Sequence, residues 1–238
     1  MKNKRKGLRI FLASLLAVLL LGTAGFLAWA GDYYHADETA LAAEAADGTL
    51  AVQGDYTILT PDIPSQTGIV FYPGAKVGAV AYLPLLEKLK ARGYTCVLVK
   101  MPLNMAIFDA DAADGAMAAV PGITHWYIAG HSMGGAMASS YAAANPGKIE
   151  GLILLGAYIY GDYPAAKTLT VYGTFNADLE KHIDYTESIV KIEGGNHAQF
   201  GCYGRQKGDP DATISAETQQ TVTAEAIDAF IQKNGGST

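Results

Sequence analysis

From about residue 54 onward, apolar runs of strand length alternate with stretches whose apolar positions recur at helical spacing. The runs lie at 56–59, 68–72, 96–99, 126–129, 152–155, 169–172 and 188–192; the first ends at Pro61 and the second at Pro73-Gly74. Between them, Val80, Leu83, Leu85, Leu86 and Leu89 predict a helix over 79–92, closed by Gly93. A looser helical pattern covers 107–119, and helices are expected over 133–144 and 216–232. Several runs are continuously apolar rather than alternating, as strands buried on both faces are. The expected fold is therefore a doubly wound α/β architecture with a mostly parallel sheet. Sites in such sheets form beyond the carboxyl ends of the strands, which singles out the loops after Tyr72, Ala129, Tyr172 and Ile192.

The N-terminus follows another pattern. Residues 10–30 carry no charge, about the length a membrane-spanning helix needs. Lys2, Lys4, Arg5, Lys6 and Arg9 precede them, and Trp29, Tyr33 and Tyr34 follow. This predicts a single-pass anchor with its N-terminus in the cytoplasm and the body outside the membrane. A secretory signal cleaved after Ala28-Trp29-Ala30 is the competing reading, although its apolar core would be longer than usual. The chain is thus divided into a basic flank plus anchor or signal (1–30), a connector (31–53) and one α/β domain (54–238).

Charge sharpens the picture. The chain carries 17 basic and 23 acidic side chains; without the five basic residues before the anchor, twelve remain against the 23. An acidic body with no basic stripe argues against nucleic acid as a partner. Cys96 and Cys202 are the only cysteines, too few for a disulfide framework or a Cys-rich metal site. Asp209 and Asp211 read as a polar turn rather than a calcium loop, and no metal or cofactor is expected. Nothing in the pattern indicates an oligomeric state.

The chemistry concentrates in three loops. After the run 126–129 comes Gly130-His131-Ser132-Met133-Gly134-Gly135 and then a helix. A G-x-S-x-G sequence between strand and helix holds a serine on a sharp turn, with its hydroxyl above the sheet edge. Ser132 is therefore the candidate nucleophile. An oxyanion needs two converging backbone N–H groups, here expected from Met133 and, in the Pro73-Gly74-Ala75 loop, from Ala75. Of the five histidines, His197 alone lies in a loop after the last strand and is the candidate base. The third member should follow the run 169–172, in Gly173-Thr174-Phe175-Asn176-Ala177-Asp178. Asp178, the nearest carboxylate, is the expected acid; Asn176 and Asp162 are the alternatives.

The segments around Pro73-Gly74-Ala75-Lys76-Val77, Gly130-His131-Ser132-Met133-Gly134-Gly135 and Glu193-Gly194-Gly195-Asn196-His197 resemble a bacterial α/β-hydrolase family. It is distantly similar to dienelactone hydrolases, and its members often carry an N-terminal membrane segment. The resemblance covers roughly residues 56–231. It implies the α/β-hydrolase fold, with Ser132 as nucleophile and His197 as base. The sequence departs from the family pattern at Asn176, where that pattern usually has Asp. Only about a dozen residues, 156–167, separate two late strands, which implies a minimal lid and an open site. Tyr158, Tyr160 and Tyr163 in that stretch either line a pocket or pack at the sheet edge. The function expected is hydrolysis of small or exposed carboxylic esters. Transacylation or amide hydrolysis by the same residues, and a non-catalytic surface-anchored binding module, are the alternatives.

Overall fold

The computed structural model describes residues 2–63 and 65–235. Met1, Pro64 and residues 236–238, which the predicted divisions include, lie outside the described residues. The chain forms two units. The first is a single helix, α1 (Lys2–Gly31), whose stretch Arg5–Gly31 is long and apolar enough to be a membrane anchor or a signal sequence.

The second unit begins at Tyr34. Its strands are β1 (Ala51–Gln53), β2 (Tyr56–Leu59), β3 (Thr67–Tyr72), β4 (Thr95–Val99), β5 (His125–His131), β6 (Gly151–Leu155), β7 (Thr168–Gly173) and β8 (Ile189–Ile192). They form one sheet in the order β1-β2-β4-β3-β5-β6-β7-β8. β1–β2 and β2–β4 pair antiparallel, and every later pair is parallel. The sequence pattern places β3 to β7 correctly because both of their faces are buried, whereas β8 at the sheet edge is only partly covered. Ile69, Phe71, Cys96, Leu98, Ile153 and Leu155 point to one core, shared with α3 (Leu83–Lys90) and α6 (Ala216–Gly235). Val70, Tyr72, Val97, Val99, Leu152 and Leu154 point to the other, shared with α4 (Ala112–Ala118) and α5 (Met133–Ala144). Cys96 and Cys202 are both buried free thiols.

Residues 34–53 do not behave as a loose connector. The Tyr34 N–H donates to Lys76 O (2.7 Å), the Gly78 N–H donates back to Tyr34 O (2.9 Å), and the Asp37 N–H donates to Cys202 O (2.8 Å). A short helix, α2 (Glu38–Ala46), then buries Ala40, its first turn capped by the Asp37 carboxylate. The packed unit thus starts some twenty residues before the expected boundary, because backbone pairing rather than side-chain hydrophobicity ties this segment down. The region 107–119 also differs from expectation. Only Ala112–Ala118 is α-helical; before it lie two short 3-10 turns, Pro102–Asn104 and Ala106–Phe108, with Leu103 and Asn104 at positive φ.

Candidate functional site

The site is built at the carboxyl ends of β3, β5, β7 and β8. β5 runs into α5 through Ser132, whose backbone sits at φ 54°, ψ −122°. Such a conformation is rare for a side-chain-bearing residue and strained, and strain of this kind clusters at functional positions. The turn is held by the Ser132 N–H, which donates to Leu155 O on the neighbouring strand (2.9 Å). Small neighbours make it possible. A Cβ on Gly130 would lie 2.5 Å from the Gly134 backbone, and one on Gly134 would lie 2.3 Å from the carbonyl oxygens of Tyr72 and Pro73. Strand, helix and the loop after β3 therefore meet with nothing between them. The Ser132 side chain does not cap α5.

The loop after β3 turns sharply over this elbow. The Gly74 N–H donates to the Tyr82 hydroxyl (3.0 Å), and the Lys76 N–H to Asn104 O (2.7 Å), with Lys76 itself at φ 56°. The intervening Ala75 N–H takes no protein acceptor among the described residues, and neither does the Met133 N–H in the first turn of α5. These are the two donors expected of an oxyanion site.

His197 follows β8 and is half-buried. It lies against the residue after β6 and against His131 at the end of β5. A Cβ on Gly156, the residue after the Ser132 acceptor, would lie 2.8 Å from His197 Nδ1. The His131 and His197 rings are 4.5 Å apart between centroids. The histidine loop is tied down by a carboxylate: Asp209 accepts the N–H of His197 (3.1 Å) and of Ala198 (2.8 Å). Burial holds the His197 pKa below its ordinary 6.5, and the Asp209 charge pulls the other way.

The structure brings Asn176, not Asp178, to the base. The turn after β7 is closed by the Asn176 N–H donating to Gly173 O (2.9 Å) and pinned to the histidine loop by the Phe175 N–H donating to Gly195 O (3.0 Å). That geometry aims the Asn176 side chain at His197, with Nδ2 3.0 Å from Nδ1. Asp178 already belongs to the next element, the 3-10 turn Ala177–His182. Three residues per turn set it beside Lys181, and the exposed pair closes at 2.6 Å. The expectation of Asp178 as the partner of His197 is corrected accordingly. Asp162 is exposed in the turn after β6. Asp211 pairs with Arg205 at 2.7 Å.

An amide meets Nδ1 with either end. With its NH2 group there, Nδ1 accepts, the ring proton sits on Nε2, and the imidazole has no lone pair for a serine proton. Turned over, the amide oxygen accepts Nδ1–H and leaves Nε2 bare. A carboxylate would permit only the second arrangement.

Two further side chains meet this site. His131, next to Ser132 in the chain, is buried, with Nδ1 2.8 Å from the Tyr82 hydroxyl and Nε2 3.0 Å from His197 O. Tyr82 reads in sequence as an ordinary apolar helix position. Of the three tyrosines after β6, Tyr163 is buried, Tyr160 is exposed, and Tyr158 stacks on His182 at 4.9 Å between centroids. Twelve residues separate β6 from β7, and the only element among them is the 3-10 turn Ala165–Lys167.

A family model described as the alpha/beta hydrolase family matches residues 68–221. Among solved structures, the chain is similar to Est1E from Butyrivibrio proteoclasticus, at 15% identity and TM-score 0.52, covering 79% of this chain and 98% of that one. It is also similar to MGS-MChE2, an alpha/beta hydrolase enzyme from the metagenome of lagoon sediments at Mar Chica, Morocco, at 13% identity and TM-score 0.54, covering 78% and 99%. A third is a soluble variant of monoglyceride lipase from Saccharomyces cerevisiae, at 10% identity and TM-score 0.54, covering 79% and 97%. At these identities the likeness concerns the fold. No curated protein matches the chain.

Proposed function

Since the chain belongs to the alpha/beta hydrolase family, we propose that it is a serine hydrolase that cleaves carboxylic esters through an acyl-enzyme on Ser132. The observation that carries this reading is Ser132 itself, held at φ 54° between strand and helix, with the His197 ring 4.5 Å from that of His131, the serine's chain neighbour. Nε2 of His197 takes the Ser132 proton as Oγ attacks the ester carbonyl. The N–H groups of Ala75 and Met133 receive the negative charge that develops on the carbonyl oxygen. His197 then returns the proton to the leaving alcohol. Water, deprotonated by the same nitrogen, attacks the acyl-enzyme and releases the acid. The chain's own residues suffice for each step.

The short β6–β7 connection leaves little chain for a lid, which suits small or exposed esters. The sheet order sets the loop after β4 on one side of the β3/β5 site and the loops after β6 and β7 on the other. Leu103, Ile107 and Phe108 are exposed in the first, and Tyr160 and Phe175 in the others. An apolar rim of this kind supports esters with an apolar acyl group. The N-terminal helix supports a domain tethered at the outer face of the cytoplasmic membrane, or one released after signal cleavage.

A series of p-nitrophenyl esters from acetate to hexanoate tests this. Wild type turns them over and Ser132→Ala does not. kcat/KM rises with chain length by at most about fourfold per methylene, the worth of one fully buried CH2 at about 0.8 kcal/mol. Absence of turnover by folded wild type overturns the reading. Asn176 favours a second one, a non-catalytic binding module on the same fold, which predicts that absence. Acyl transfer to an added alcohol or amine would be read from the products of the same assay.

A further inference from the structure

The buried contacts of His131 leave no freedom in where the protons lie. Nε2 faces the carbonyl oxygen of His197 at 3.0 Å, and a carbonyl only accepts, so Nε2 carries the ring proton. Nδ1 is then an acceptor, so the Tyr82 hydroxyl, 2.8 Å away, donates to it. The same hydroxyl accepts the Gly74 N–H at 3.0 Å. The result is one directed chain, from Gly74 N–H to the Tyr82 oxygen, from Tyr82 O–H to His131, and from His131 N–H to the backbone of His197.

Both side chains are enclosed. His131 is 1% exposed and Tyr82 is wholly buried. The rings of Phe71 and Phe200 pack on them, at 4.9 Å from Tyr82 and 5.6 Å from His131 between centroids. Burial pushes the His131 pKa well down and the Tyr82 phenol up, so neither changes charge near neutral pH. A Cβ on Gly74 would lie 2.8 Å from His131 Nδ1 and 2.9 Å from the Tyr82 oxygen, so the loop after β3 rests directly on the pair.

The ends of this chain are parts of the candidate site. Gly74 precedes Ala75, whose N–H is one of the two free donors. His197 is the base. His131 is bonded through the backbone to Ser132. We propose that Tyr82 and His131 are positioning residues: a buried strut that fixes the separation of the oxyanion loop from the histidine loop, with the nucleophile anchored midway along it. This rests on the hydrolase reading of Ser132 and His197. Neither side chain need touch substrate. Their effect is on the alignment of groups that do, where a displacement of about 1 Å is worth on the order of 100-fold in rate.

The test uses the full-length protein in detergent and three variants. His131→Gln retains an amide N–H for the His197 carbonyl and an amide oxygen for the Tyr82 hydroxyl. His131→Leu removes both bonds, and Tyr82→Phe removes the hydroxyl. At a temperature well below every Tm, kcat falls about 10- to 100-fold in His131→Leu and Tyr82→Phe while KM stays within about twofold. His131→Gln keeps most of the wild-type kcat. A trifluoromethyl ketone, whose adduct places a negative oxygen in the oxyanion site, weakens in parallel with kcat across the series. If His131→Leu turns over like wild type, or if Gln and Leu fail alike with folding intact, the strut has no positioning role. Absence of turnover in folded wild type overturns the hydrolase reading and this inference with it. Turnover in wild type with an unaffected His131→Leu overturns the inference alone.

Discussion

His197 meets an amide where a carboxylate would bring both a charge and a single tautomer. In a Ser-His-Asp site the acid stabilises the imidazolium and keeps the ring proton on Nδ1; exchanging it for Asn costs about 10⁴ in kcat through the wrong tautomer. Asn176, 3.0 Å from Nδ1, leaves that choice open. Asn176→Asp is therefore expected to raise kcat on a p-nitrophenyl ester by about tenfold or more. Asp178→Ala, which removes only an exposed ion pair with Lys181, should leave kcat within about twofold. The charge nearest the base comes instead from Asp209, through the main chain at His197 and Ala198. As the proposed base, His197 must be neutral to take the serine proton, so activity is expected to fall as pH drops through its pKa. Burial puts that acid limb below the ordinary 6.5, and the Asp209 charge raises it. Asp209→Asn removes the opposing pull, and the acid limb of kcat/KM should move to lower pH. A limb that stays in place would show that the Asp209 charge does not reach the imidazole.

The elements around the serine are held by close backbone contact as well as by hydrogen bonds. Gly134, in the first turn of α5, lies against two carbonyl oxygens of the loop after β3, which are backbone atoms and cannot swing away. Gly134→Ala is expected to destabilise the fold by roughly 1–3 kcal/mol, the usual cost of overpacking. It should also lower kcat, because the loop that must move carries the Ala75 N–H; Tm and ester turnover measured together check both. How legible each element is follows from burial. β3, β4 and β6, covered on both faces, announce themselves as continuous apolar runs, while β7 is as deeply buried but interrupted by Thr170. β1, three exposed residues at the sheet edge, carries no such pattern. The tight turn after β7 was visible as a glycine followed by polar residues, but which side chain it aims inward depends on backbone bonds from Asn176 to Gly173 and from Phe175 to Gly195. Weighing side-chain chemistry alone favoured the carboxylate two residues too late.

Across the whole molecule, the residues proposed as nucleophile and base stand out in the sequence because each lies in a loop that its strand and neighbouring glycines mark out. The strut of Tyr82 and His131 does not, since it joins residues 49 and 66 positions apart through side chains that read singly as core. The molecule joins an apolar N-terminal helix to an α/β body whose proposed site centres on a serine held at φ 54°. An activated Ser132 is testable without knowing the substrate. Wild type and Ser132→Ala, each shown to be folded by circular dichroism, are treated with a fluorophosphonate and weighed intact, then digested to locate the adduct. One adduct is expected on wild type, on the peptide bearing Ser132, and none on the variant. A folded wild type that gains no mass, or gains it at another residue, would contradict an activated Ser132.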